Sequence, residues 1–121
     1  MCCAVVQLLV RLTTEPGQTG QLVEALHSVM RGAQRQGVCS DTHVALDADD
    51  GRVIWYFEDW ADTEAFERHL RSDRFARLLS VLELSAEPPT LECRLISESR
   101  GLDYLAAVRG VPAWTAGQRG E

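Results

Sequence analysis

Apolar positions along this chain switch between two periods, and the switches mark its elements. Ala4 to Leu12 is rich in Val and Leu with loose alternation, which predicts a well-buried strand. Glu15-Pro16-Gly17 stops that strand. From Gln18 to about Gln36 the spacing becomes helical. Leu22, Leu26, Val29 and Ala33 form one stripe, flanked by Val23 and Met30, while Glu24, Arg31 and Gln34 face outward. Gly37 then supplies a C-terminal stop. Val38 to Leu46 predicts a second strand, Asp47-Ala48-Asp49-Asp50-Gly51 a hairpin turn, and Arg52 to Trp60 a third strand. That third strand holds Val-Ile-Trp-Tyr-Phe, the run of highest β propensity in the chain. Asp62 or Thr63 caps a helix reaching about Arg71, and Ser72-Asp73 opens another through Phe75, Leu78, Leu79 and Leu82. Pro88-Pro89 ends that region, and Thr90 to Ser97 predicts the last strand.

The resulting order, β-α-β-β-α-β, is an α+β ferredoxin-like arrangement. It places residues 1–100 in one domain and leaves 101–121 as a short helix, Leu102 to Val108, followed by a tail that contains Trp114. Two main helices cover only one face of a four-stranded sheet. Both parities of the third strand carry large apolar side chains, Ile54, Tyr56 and Trp60 on one and Val53, Trp55 and Phe57 on the other. A soluble monomer rarely leaves such a face in water, so a two-fold homodimer is expected, packed through the sheet face away from the helices.

Charge and composition narrow the chemistry. With 121 residues, 45% hydrophobic and 25% charged, the chain is sized for one soluble domain, and its net charge is −6. An acidic domain without a clustered basic stripe is a poor partner for nucleic acid, because phosphate contacts supply most of that affinity. Every basic residue is arginine, so Schiff-base chemistry on a lysine side chain is excluded. No apolar run approaches the roughly 20 residues of a membrane span, and the start lacks the basic and apolar regions of a secretory signal. The expected location is the cytoplasm, without membrane contact. Cys2, Cys3, Cys39 and Cys93 make no C-x-x-C pair, which argues against structural zinc. Cys39 and Cys93 read as small apolar strand residues.

The corner from Tyr56 to Leu70 is the most informative stretch. Tyr56, Glu58 and Trp60 share one face of the third strand, and Trp55, Phe57 and Asp59 share the other. On the next helix His69 follows Phe66 by three positions and flanks the same face. Glu58 is the one charge in an aromatic set and needs a partner, and His69 is the nearest in sequence. One reading is a partly apolar pocket. In it His69 is a proton acceptor or hydrogen-bond donor, Glu58 orients it, and Trp60, Tyr56 and Phe66 line a flat aromatic substrate. The other is structural: Glu58 caps the helix or pairs with an arginine, Trp60 is core, and His69 is a satisfied histidine. His43, on the parity of Asp41 and Ala45, is either a half-exposed strand residue or a second pocket histidine. Arg11 and Arg94, on neighbouring strands, either bring positive charge inside a barrel or pair with Glu92 or Glu98.

The pattern Glu58-x-Trp60 followed by Ala65-Phe66-x-x-His69-Leu70 resembles the signature of the antibiotic biosynthesis monooxygenase family. The resemblance covers most of residues 4–98. It implies a dimeric α+β barrel and oxidation of hydroquinones or polycyclic phenols by dioxygen with no cofactor, neither flavin nor metal. An ionised phenol can itself reduce oxygen, so the protein supplies a dry pocket, a proton acceptor and orientation. The haem-degrading branch fits poorly, since Leu79 and Val10 stand near the places of its histidine and asparagine. Two further functions stay open: an isomerase-type enzyme that moves protons without oxygen, and a barrel that binds a small hydrophobic ligand without turnover.

Overall fold

The structure, a computed structural model, describes residues 5–34 and 39–112. Four strands, β1 (Val6–Thr13), β2 (Cys39–Leu46), β3 (Val53–Trp60) and β4 (Thr90–Leu95), form one antiparallel sheet in the order β2-β3-β1-β4. Helices α1 (Thr19–Gln34), α2 (Thr63–Leu70) and α3 (Asp73–Leu82) connect them, and α4 (Leu102–Arg109) follows the sheet. This is the expected ferredoxin-like α+β layout, with the middle crossover split into two helices. Gly37, named as the stop of α1, lies outside the described residues, as do Trp114, Cys2 and Cys3.

The two-residue alternation of β1 and β3 decides what the sheet buries. Val6, Leu8, Val10 and Leu12 stand opposite Trp60, Glu58, Tyr56 and Ile54, and all eight are buried on the helix side. Leu22, Leu26 and Val29 from α1, Phe66 from α2 and Leu78 and Leu82 from α3 close the core over them. Asp62 caps α2 by accepting from the backbone N–H of Glu64 and Ala65, and the Ser72 hydroxyl accepts from Phe75 N–H to cap α3. Where α1 and α3 cross, a Cβ on Gly32 would sit 2.8 Å from Arg74 Cδ, so the arginine stem lies directly over the glycine.

The chain departs from expectation at one end, that of β4. Helix α3 runs through Leu82 as expected, and the residues after it bond to the sheet. Ala86 N–H donates to Thr13 O at 2.8 Å, and Thr13 N–H donates to the Ser85 hydroxyl at 3.0 Å. Strand β4 ends at Leu95 rather than Ser97, and Cys93, expected to be an apolar strand residue, is exposed. Leu91, Cys93 and Leu95 stand opposite Val10, Leu8 and Val6, so they share the core parity. Leu91 and Leu95 are nevertheless exposed, because no described helix packs closely on β4.

On the open face of the sheet, Leu9, Trp55 and Phe57 are half-buried. The Trp55 and Phe57 rings stack in parallel with centroids 6.2 Å apart, and the Arg11 guanidinium sits 5.9 Å over the Trp55 ring. Arg94 pairs with Glu92 at 3.0 Å, one of the two partners expected for it.

Candidate functional site

Glu58 sits at the centre of a dry polar cluster. Its position on β3 turns the carboxylate toward the helices, where it is fully buried. The Tyr56 hydroxyl donates to Oε2 at 2.5 Å, and the Trp60 indole N–H donates to Oε1 at 2.8 Å. Three alternate residues of one strand thus converge through their side chains, an outcome of the i, i+2 geometry of a pleated strand. Charge-assisted hydrogen bonds of this kind are the strong ones, and a buried carboxylate needs them.

His69 meets this cluster from the last turn of α2. It is 2% exposed, and its Nε2 lies 3.3 Å from Glu58 Oε1. The approach falls outside hydrogen-bond geometry, and neither Nδ1 nor Nε2 of the imidazole has a hydrogen-bond partner. Aromatic rings hold it in place: Trp60 at 4.7 Å between centroids with planes inclined by 32°, and Phe75 edge-on at 5.8 Å. Phe66 in turn packs against Trp60 at 6.0 Å.

Of the residues singled out from sequence, Glu58, His69, Trp60, Tyr56 and Phe66 come together at this corner. Glu58 neither caps α2, a role Asp62 takes, nor pairs with an arginine. Trp60 is part of the core as well as of the cluster. His43 is not at the corner. Thr42 stands opposite Glu58 in the β2–β3 register, so His43, opposite Phe57, faces the open side of the sheet. There it is exposed and pairs with Asp41 at 3.0 Å.

Phe75 is the site residue that sequence reasoning placed only in the core stripe of α3. The signal for its position was the Ser72 break. The Ser72 hydroxyl donates to the His69 carbonyl at 2.6 Å while accepting from Phe75 N–H, and this turns the start of α3 back onto the imidazole.

Two cavities lie along the segment that follows β4. One of about 270 Å³ is lined by Leu102, Leu105, Ala106, Arg109, Val111 and Pro112, and one of about 530 Å³ by Glu98, Arg100, Tyr104 and Leu105. Neither reaches Glu58 or His69. Among the described residues no cluster of three or more His, Cys, Asp or Glu could hold a metal ion, and no helix is long and apolar enough to cross a membrane.

Fold and corner together define an α+β ferredoxin-like domain with a buried carboxylate–imidazole pair walled by aromatic rings. The model of the antibiotic biosynthesis monooxygenase family matches residues 6–79, more than half of the chain, and the chain belongs to that family. Solved structures share the fold at low identity. A solved antibiotic biosynthesis monooxygenase superposes with a TM-score of 0.65 at 14% identity, covering 77% of this chain and 99% of its own. A protein from Mycobacterium tuberculosis gives 0.68 at 18%, covering 79% and 98%. A conserved protein from Methanosarcina mazei gives 0.68 at 16%, covering 76% and 92%. No functionally curated protein matches the chain in sequence. Helix α4 lies beyond the family match.

Proposed function

We propose that the protein is a cofactor-independent monooxygenase that oxidises a small phenolic or quinol-type aromatic substrate with dioxygen. Family membership and neighbours of that name support the reaction class. The observation that carries the reading is the imidazole of His69, buried among aromatic rings with neither nitrogen hydrogen-bonded, beside a carboxylate already engaged by two other donors. A buried polar atom without a partner is costly, and a site that waits for a ligand is one place where that cost is kept.

The chemistry follows from the side chains. His69 takes the phenolic proton, and the electron-rich phenolate reduces dioxygen. For a simple phenol the balance is phenol plus O2 giving quinone plus water: one oxygen atom enters the ring, the other leaves as water, and the substrate supplies all four electrons. Trp60, Tyr56 and Phe66 orient the ring and exclude water, which strengthens each electrostatic contact inside. Because His69 is sealed from solvent, substrate entry requires the α2–α3 segment to move away from β3.

The reading includes a cytoplasmic homodimer. Most of the exposed large hydrophobic residues lie between Leu91 and Val111, and the open face of the sheet carries the half-buried Trp55 and Phe57. Apolar surface of that extent marks an interface.

The test is an oxygen-electrode trace on a panel of hydroquinones and polycyclic phenols, with chelator present. Oxygen uptake above the buffer rate is expected for at least one. No uptake with any substrate removes the oxygenase reading; proton exchange into a bound phenol without uptake would then indicate the isomerase-type alternative.

A further inference from the structure

The hydrogen-bond inventory of the corner fixes more than the presence of a base. Glu58 offers only acceptors, and they already receive the Tyr56 hydroxyl on Oε2 and the Trp60 indole N–H on Oε1. His69 Nε2 faces Oε1 at 3.3 Å. A lone pair on Nε2 would point at a carboxylate oxygen across a dry gap, which is repulsive; an N–H there is attracted even when its angle is poor. The proton of a neutral imidazole therefore belongs on Nε2. A second proton on Nδ1 would put a buried N–H without an acceptor, since Nδ1 has no partner. A buried donor left unsatisfied costs more than a bare lone pair.

We infer that Glu58 locks His69 as the neutral Nε2–H tautomer, leaving the Nδ1 lone pair as the open acceptor of the site, so that the site takes neutral aromatic ligands through a hydroxyl that donates to Nδ1. Glu58 is thus a positioning residue that acts through His69, and Tyr56 and Trp60 fix the carboxylate in turn. The inference rests on the proposed function for its choice of ligand class but reaches a finer distinction. A phenol is accepted; the same ring lacking the donor, as an aryl methyl ether, meets Nδ1 with a second lone pair.

The chain has three histidines, so the H27Q/H43Q variant leaves His69 as its sole imidazole. Neither His27 nor His43 is buried, and neither lies in the corner. Two-bond proton–nitrogen correlation spectra of this ¹⁵N-labelled variant read the tautomer directly. The expected result is a protonated Nε2 and a lone-pair Nδ1; protonation at Nδ1, alone or with Nε2, overturns the inference. Adding E58Q is expected to turn the single tautomer into a mixture, and an unchanged single tautomer overturns the role of Glu58. If E58Q does not fold, the spectrum of the H27Q/H43Q variant still decides.

The ligand half is read by anaerobic titration with 1-naphthol and with its methyl ether. Naphthol is expected to shift the Nδ1 resonance and to bind about tenfold or more tightly than the ether, the worth of one buried hydrogen bond. Equal binding of the two, or binding of neither, overturns it. Oxygen uptake decides the proposed function separately: a protein that consumes oxygen with Nδ1 protonated keeps that function and loses this inference.

Discussion

Tyr56 and Glu58, two residues apart on β3, meet side chain to side chain at 2.5 Å in a place no solvent reaches. The contact makes the carboxylate structural as well as chemical. In Glu58→Leu both the Tyr56 hydroxyl and the Trp60 indole N–H lose their acceptor. At roughly 1–3 kcal/mol for each stranded buried donor, the loss exceeds the relief from no longer burying a charge. Urea denaturation is expected to show a destabilisation of about 2–4 kcal/mol, and Glu58→Gln, which keeps one acceptor, a smaller one. A leucine variant as stable as the parent would mean that the cluster contributes nothing to folding.

His69 is the residue whose removal should separate chemistry from folding. His69→Ala takes away the proposed proton acceptor, which general-base catalysis values at about 10²-fold or more in rate. Its thermal transition should remain cooperative, because Trp60, Phe66 and Leu78 still fill the core around the gap. Equal rates of oxygen uptake by variant and parent would remove His69 from the mechanism. Trp60→Ala is a poorer probe, since truncating a fully buried tryptophan costs about 3–5 kcal/mol of stability.

The strand parities and the helical stripe of α1 were legible in the sequence, because each depends on a local period and a single buried side. The meeting of Glu58 with His69 was legible for the same reason. The face that His43 takes was not. Its parity with Asp41 and Ala45 is local, but whether that parity faces the helices depends on the pairing of β2 with β3, with an irregularity between Cys39 and Asp41. The end of α3 at Leu82 was legible, but the bonds that Ser85 and Ala86 make to Thr13, more than seventy positions away, were not, because no local signal encodes them. Phe75 escaped because its contact with His69 depends on the angle between α2 and α3 rather than on spacing within either.

Asp47 provides a pH test away from the corner. Its carboxylate accepts from the Trp55 indole N–H at 3.2 Å and from the backbone N–H of Asp49 and Asp50. These bonds, the Trp55 one foremost, hold its pKa below the ordinary carboxylate value. A depressed folded pKa contributes stability that is fully present above the unfolded value and is lost as pH falls through the folded one. Asp47→Asn should therefore be less stable than the parent near neutrality and should converge with it below about pH 4. Parallel urea curves across that range check it, and a stability gap that widens on acidification would refute the assignment.

Gly32→Ala sets two known effects against each other. Alanine favours a helix over glycine by about 1 kcal/mol, but its Cβ would sit 2.8 Å from Arg74 Cδ. The obstacle is a flexible arginine stem rather than backbone, so it can turn aside at little cost. The variant is expected to match the parent within about 0.5 kcal/mol or to gain slightly. A loss of 2 kcal/mol or more in denaturant titration would mean that the α1–α3 crossing is rigid at this point.

The dimer can be tested on the open sheet face, where Phe57 stacks on Trp55. Phe57 faces away from the core, so Phe57→Arg leaves the buried set of β3 untouched and places a charge in the middle of the aromatic stripe. If two sheets close face to face there, a buried unpaired arginine costs several kcal/mol per interface, enough to dissociate a dimer held at micromolar concentration. Sedimentation velocity is expected to show a dimer for the parent and a monomer of unchanged circular dichroism for Phe57→Arg. Leu95→Arg separates the two candidate surfaces, because Leu95 is 73% exposed on the other side of the sheet. Dissociation by Leu95→Arg with Phe57→Arg still dimeric would move the interface to the β4 and α4 surface. A parent that sediments as a monomer at micromolar concentration would end the dimer reading altogether.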